Sequence, residues 1–229
     1  MKTIGLIGGT GWVSTIEYYR LINQLVNDRI GGLNYARLIL YSVNYAEFKK
    51  MSDVGEWESL GHQLVTIARD LERSGAQCLL LCANTMHMVA DIIQKSIHIP
   101  IIHIAEETAR EISSNQIKKV GLLGTKFTME QPFFRNKLEH QGIETLLPSA
   151  ADRDFVHDTI YNELGRGIFN SGTRDKYLEI IEKLKEQGAE GVIYGCTELP
   201  LLLPDGVSSL KVFDTLQIHA KAAVDFAVL

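Results

Sequence analysis

Two stretches of this chain place reactive groups where an apolar run gives way to a polar turn. They are Leu80-Leu81-Cys82-Ala83-Asn84-Thr85 and Ile193-Tyr194-Gly195-Cys196-Thr197-Glu198. In the second, Cys196 precedes Thr197-Glu198-Leu199, which reads as the first turn of a short helix halted near Pro200. A thiol at a helix N-terminus has its pKa lowered by the helix dipole, so Cys196 is expected to yield a usable thiolate. In the first stretch, Asn84 and Thr85 offer amide, hydroxyl and backbone donors, a cradle for a carboxylate. A third turn, Gly8-Gly9-Thr10-Gly11, follows the first apolar run, and its amides and the Thr10 hydroxyl can hold an anion at a helix N-terminus. It is not a dinucleotide fingerprint. The spacing from Gly9 calls for glycine where Ser14 stands, and the next strand ends in Leu40-Tyr41-Ser42 with no acid for a ribose.

The first two stretches are copies of one pattern. Aligning Gly75-Ala76 with Gly188-Ala189 sets Cys82 against Gly195, Ala83 against Cys196 and Asn84 against Thr197. At nearly the same offset, Val120-Gly121-Leu122-Leu123-Gly124-Thr125 repeats Ile4-Gly5-Leu6-Ile7-Gly8. Strand alternation puts Cys78, Leu80 and Cys82 on one face and Leu79, Leu81 and Ala83 on the other. The position matching Cys196 is therefore Ala83, and Cys82 turns into its own half. His87 is open to two readings, a proton relay or a satisfied helix histidine.

The elements that must position these groups alternate between strand and helix. Strands are expected at 4–7, 36–43, 78–82 and 99–102, and again at 120–124, 143–147, 191–194 and 210–213. Helices are expected at 14–29, 60–74, 86–95, 152–164, 173–187 and 217–228, the first opened by a capping box at Ser14-Thr15-Ile16-Glu17. Residues 44–56 read as a polar loop or short helix. The pattern predicts an α/β fold of two pseudo-symmetric halves, each a four-stranded, mainly parallel sheet flanked by helices. The first half comprises residues 1–103 plus 214–229, the second 104–213. In open α/β sheets ligands gather outside the carboxyl ends of the strands, so the active site is expected in the cleft between the halves.

Bulk properties narrow the function classes. A chain of 229 residues with 45% hydrophobic content can bury a sizeable core. Its net charge of −5 and lack of a basic block argue against nucleic-acid and anionic-membrane partners. No apolar run approaches the ~20 residues needed to span a bilayer. Three cysteines at irregular spacing form neither a disulfide framework nor a zinc pattern, and the histidines show no metal spacing. A cytoplasmic protein is expected, with no metal.

At these residues the chain resembles the aspartate/glutamate racemase family, in its broad-specificity bacterial amino-acid racemase branch. The resemblance rests on Gly8-Gly9-Thr10-Gly11-Trp12 with Ser14-Thr15, on Asn84-Thr85-Met86-His87 and on Gly121-Leu122-Leu123-Gly124-Thr125. Gly195-Cys196-Thr197-Glu198-Leu199 and Phe213-Asp214-Thr215 complete it. It implies an isomerase that needs neither pyridoxal phosphate nor metal, acts on a small amino-acid substrate and forms a homodimer. One thiolate takes the α-proton and a second thiol returns a proton on the opposite face. Cys196 is the implied catalytic thiol. Thr10, Asn84, Thr85 and Thr197 are the implied carboxylate donors, and Thr125, Glu198 and Ser52 join them as substrate-binding positions.

The chain departs from the family at the first thiol, which directly precedes Asn-Thr and here is Ala83, a vacant cysteine position. Water or a displaced Cys82 would have to serve that face. The basic residues that aspartate-specific members use fall near Lys49 and Arg166 without evident register. Two alternatives stand beside the racemase. One is a single-thiol enzyme of the same superfamily, such as an arylmalonate decarboxylase, and the other is an inactive amino-acid-binding protein.

Overall fold

The computed structural model describes residues 1–228, which divide into two compact units. The first comprises Met1–His103 and the C-terminal residues from His219 onward, the second Ile104–Ile218.

In the first unit the order is β1 (Thr3–Gly8), α1 (Trp12–Ile30), β2 (Arg37–Ser42), α2 (Tyr45–Asp53), α3 (Trp57–Arg73) and β3 (Cys78–Leu81). A 3-10 turn (Thr85–Val89) and α4 (Ala90–Gln94) follow. The sheet order is β2-β1-β3 with every pairing parallel. Parallel strands are covered on both faces, which is why β1 and β3 are continuous apolar runs and are buried along nearly their whole length. Helix α3 covers the sheet with Leu60, Leu64, Ile67, Ala68 and Leu71, a helical repeat of apolar positions. Each such leucine or isoleucine contributes ~1.5–3 kcal/mol on burial.

The expected fourth strand of this unit shrinks to one bridge, Leu79 to Ile101. Pro100 has no N–H to offer a ladder. The Ile102 amide reaches the Leu79 carbonyl (3.0 Å), but side chains take the preceding donors: the amides of His98 and Ile99 go to Glu72 Oε1 (2.7 and 3.1 Å), and that of Ile101 goes to Gln94 Oε1 (2.8 Å).

The second unit runs α5 (Ile104–Ser114), β4 (Lys119–Gly124), α6 (Lys126–Glu130), α7 (Pro132–Glu139), β5 (Glu144–Leu146) and α8 (Ala150–Asn162). It continues through a 3-10 turn (Leu164–Arg166), α9 (Ser171–Glu186), β6 (Gly191–Gly195), α10 (Leu199–Leu202) and β7 (Lys211–Asp214). The sheet order β5-β4-β6-β7 is parallel throughout and repeats the topology of the first sheet. Helix α11 (Thr215–Val228) starts in the second unit and ends in the first. Helices α5, α6 and α7 occupy stretches to which periodicity assigns no element.

Helix α1 begins at Trp12 rather than at Ser14, and the expected capping box does not form. The Ser14 hydroxyl instead donates to the Cys82 carbonyl (3.0 Å), fastening the start of α1 to the end of β3. The expected helix at 86–95 divides into the 3-10 turn and α4.

Candidate active site

The central strand of the second sheet, β6, ends at Gly195, which is level with Gly124 of β4. A Cβ on Gly195 would lie 2.8 Å from the Leu123 carbonyl oxygen, so only glycine allows the strands to stay close there. The chain then turns, and Cys196 is 8% exposed. Its thiol donates to Glu198 Oε2 at 2.9 Å, and the Thr197 hydroxyl donates to the same oxygen at 2.9 Å. Glu198 is itself only 7% exposed.

This geometry reverses the expected titration of Cys196. Burial pushes the thiol well above its ordinary range, and the Glu198 charge and hydrogen bond push it further. The amides of Glu198 and Thr197 pull the other way with less effect. Helix α10 has only four residues, so its dipole is small, while a carboxylate sits in direct contact with the sulfur.

In the first unit the matching position is occupied by a methyl group. Ile7 pairs with Leu81 in one sheet and Leu123 with Tyr194 in the other, and two residues onward stand Ala83 and Cys196. The internal duplication is thus repeated in strand register. Ala83 is half-buried and packs against its unit's core. Cys82 is fully buried, its amide continuing the ladder to the Ile7 carbonyl (2.9 Å). Burial pushes its thiol up with no opposing charge. The Cys78 thiol is pushed up to about 12 by burial, slightly eased by Lys2.

Asn84 and Thr85 are both buried where the chain leaves β3. The turn after β1 is held by Thr15, whose hydroxyl accepts from the Gly9 amide (2.9 Å) and donates to the Gly11 carbonyl (3.0 Å). Gly9 has φ +88°, and a Cβ there would meet the Val43 carbonyl oxygen at 2.3 Å. The Thr10 hydroxyl oxygen is buried with no protein partner.

The remaining expected positions are spent partly on local structure. Thr125 caps α6, accepting from the Thr128 amide (3.3 Å), and the Ser52 hydroxyl donates to the Lys49 carbonyl of its own helix (2.9 Å). Lys49 is paired with both oxygens of Asp53 (2.7 and 2.8 Å). Arg166 lies in the 3-10 turn after α8. The segment beyond it is tied to Glu163 through Asn170 (3.1 Å) and Thr173 (2.6 Å).

Sequence reasoning missed a buried imidazole cluster beside Ala83. His87 lies 4.7 Å from His103 and 5.5 Å from His219 between ring centroids, and all three are buried. The His87 Nδ1 faces the Ala83 carbonyl at 3.1 Å, and since a carbonyl only accepts, Nδ1 carries the proton. His219 Nε2 faces the Ile102 carbonyl at 2.6 Å and so donates, which leaves Nδ1 to accept from the Tyr18 hydroxyl at 2.7 Å. Burial and mutual repulsion hold His87 well below the ordinary histidine range, and burial with the nearby His87 charge takes His219 down to about 3. Nothing in local spacing signals this cluster, because Tyr18 and His219 meet from opposite ends of the chain.

Among the described residues no group of three or more His, Cys, Asp or Glu side chains is placed to hold a metal ion. No helix among them is long and apolar enough to cross a membrane. The Asp/Glu/hydantoin racemase family model matches residues 7–223. The broad-specificity amino-acid racemase RacX of Bacillus subtilis (strain 168) is 25% identical over 241 residues, covering 96% of both chains. Two solved structures align over the full length of both chains. A Yersinia pestis protein described as a candidate Asp/Glu racemase is 46% identical with a TM-score of 0.94. An aspartate racemase homologue from Pyrococcus horikoshii OT3 is 35% identical with a TM-score of 0.88.

Proposed function

The chain belongs to the Asp/Glu/hydantoin racemase family, and from that premise we propose that it is an amino-acid racemase working through Cys196 without pyridoxal phosphate or metal. The observation that carries this reading is a buried thiol at the carboxyl end of β6, held by a carboxylate and flanked by the Thr197 hydroxyl. As a thiolate, Cys196 takes the α-proton. Its burial favours the reaction once the proton is gone, because a desolvated thiolate is a stronger base.

The carbanion formed at the α-carbon delocalises into the carboxylate, whose negative charge grows as the proton leaves. Donors fixed in place for that charge stabilise it by roughly 3 kcal/mol each. Asn84, Thr85, Thr10 and Thr197 are assigned this role, with Ser52, Thr125 and Glu198 as further substrate-binding positions. The unpartnered Thr10 hydroxyl supports its share, since a buried oxygen without a partner is costly until a ligand satisfies it. Small acidic or polar amino acids are the proposed substrates, in keeping with the relatives' described activities.

Inversion needs a second proton donor on the opposite face. The position equivalent to Cys196 is Ala83, and Cys82 is sealed within its own unit. This favours, as a second reading, a one-thiol enzyme that exchanges the α-proton on one face only. Incubation with L-Asp, L-Glu and neutral L-amino acids in D₂O, read by NMR and chiral chromatography, separates the two. Deuterium uptake with inversion supports the racemase, uptake with retention supports the one-thiol reading, and no uptake from any substrate rules out both.

A homodimer and a cytoplasmic location belong to the same proposal. Free thiols at Cys78, Cys82 and Cys196 support a reducing compartment. The outer face of α1 presents Trp12, Ile16 and Tyr19, and the edge strand β2 presents Leu40 and Tyr41, an apolar surface suited to a second copy. Sedimentation velocity should show a dimer that Trp12→Glu weakens, and a wild-type monomer would remove this part of the proposal.

A further inference from the structure

We propose that His87 and Ser14 are positioning residues that lock the turn after β3, so that the backbone donors of Asn84 and Thr85 are aimed in advance at the substrate carboxylate. The inference rests on the racemase reading above and adds the means by which two of its donors are held. Three consecutive carbonyls are engaged where the chain leaves β3. That of Cys82 accepts from the Ser14 hydroxyl (3.0 Å), that of Ala83 from the His87 ring at Nδ1 (3.1 Å), and that of Asn84 from the His87 amide (3.0 Å). Among the described residues every peptide bond is trans. In a planar trans peptide the N–H points opposite to the C=O. Each held carbonyl therefore fixes the direction of the next residue's N–H. The Ala83 carbonyl sets the Asn84 amide and the Asn84 carbonyl sets the Thr85 amide, both directed away from His87.

A ring can hold a carbonyl in this way only if it stays in place and keeps its proton on Nδ1. The His87 ring is 2% exposed, and His103 and His219 pack against it edge-on. His219 is itself tethered at both nitrogens, by the Tyr18 hydroxyl and the Ile102 carbonyl. Tyr18 stands one turn from Ser14 on the same side of α1. One helix thus holds the Cys82 carbonyl directly and backs the His87 ring through His219. Burial, and after it the His103 charge, keep His87 neutral, so the ring has a single N–H to give. The Ala83 carbonyl receives that hydrogen bond but cannot take the proton, and the contact holds rather than relays. Donors fixed beforehand are those that stabilise the growing carboxylate charge most, since none has to reorient as the α-proton leaves.

The test compares wild type with His87→Asn, His87→Gln and His87→Leu, the folding of each checked by thermal unfolding. An asparagine amide nitrogen sits where Nδ1 was and can still donate to the Ala83 carbonyl. Glutamine carries its amide one bond further out, near the place of Nε2, and leucine fills the space without a donor. Two readouts are used: α-deuterium exchange of L-Asp and L-Glu in D₂O, and NMR of the His87 ring nitrogens in the wild-type protein. The ring should be the neutral Nδ1–H tautomer at pH 7. His87→Leu and His87→Gln should slow exchange by about 100-fold, and His87→Asn should stay within about 10-fold of wild type, the first figure being the scale on which a misplaced group acts. Should His87→Leu fail to fold, His87→Asn against His87→Gln makes the same comparison.

If the ring only filled the core, the apolar His87→Leu would be the best tolerated of the three and His87→Asn would gain nothing over His87→Gln. That order overturns the proposal. An imidazolium or an Nε2–H tautomer in the wild-type protein also overturns it, since Nδ1 would then not be holding the Ala83 carbonyl as the neutral ring's one donor. A wild-type protein that exchanges no amino acid condemns the racemase reading instead. In that case the tautomer still decides whether the ring holds the turn.

Discussion

The buried imidazoles of the first unit should make the protein lose stability in mild acid, in a window that carboxylates do not explain. His219 is held neutral with a pKa of about 3, against ~6.5 in an unfolded chain. Its pKa is depressed by folding, so below ~6.5 the unfolded chain binds a proton that the folded chain refuses. The associated stability is fully present above pH ~6.5 and is lost as the pH falls toward 3. The slope is about 1.4 kcal/mol per pH unit for one such group. Between pH 6.5 and 5 His219 alone therefore costs about 2 kcal/mol, and His87, also lowered, adds in the same direction.

Among the described residues, Tyr18 from α1, His87 from the 3-10 turn, His103 and the Ile102 carbonyl face this site, and none of these is an anion that would rescue the protonated ring. His219→Gln retains an amide donor for Ile102 and an acceptor for Tyr18 but cannot titrate. Urea unfolding at pH 7, 6 and 5 should show the variant losing less stability than wild type, with the difference in slope approaching about 1.4 kcal/mol per pH unit below pH ~6. Parallel slopes would refute the reasoning. So would a His219 ring signal titrating near pH 6.5 in the folded protein.

Other expectations follow from single contacts. Ala83→Cys restores a thiol at the position equivalent to Cys196. It should add or accelerate inversion in chiral analysis, whereas an unchanged D/L ratio would point to water or Cys82 as the second donor. Gly9→Ala should destabilise by at least ~2 kcal/mol, from the positive φ together with the Val43 contact at 2.3 Å. A melting temperature within a degree of wild type would contradict that geometry.

Much of the architecture is legible in the chain because parallel strands must be apolar along their length. The runs at β1, β3, β4 and β6 stand out for that reason. The repeat also matched Ala83 with Cys196, as the strand registers do, since strand alternation and the Gly-Ala pairs fix register independently of any side-chain contact. What escaped the reading depended on partners distant in sequence. Ser14 looked like a cap, yet its hydroxyl is drawn to the Cys82 carbonyl. The fourth strand of the first unit looked apolar enough, yet Glu72 and Gln94 take its amides. Cys196 looked like a thiol eased by a helix dipole. Burial reverses that, and the Glu198 carboxylate, two residues on and 2.9 Å from the sulfur, adds to the rise.

The central claim is that Cys196 moves the substrate's α-proton. Its most direct test is deuterium incorporation at the α-carbon of L-Asp and L-Glu in D₂O, wild type against Cys196→Ser, with folding of the variant verified by circular dichroism. Cys196 should be indispensable, so wild type incorporates deuterium and the folded variant loses incorporation by at least ~1000-fold. A folded Cys196→Ser protein that exchanges at the wild-type rate would contradict the account.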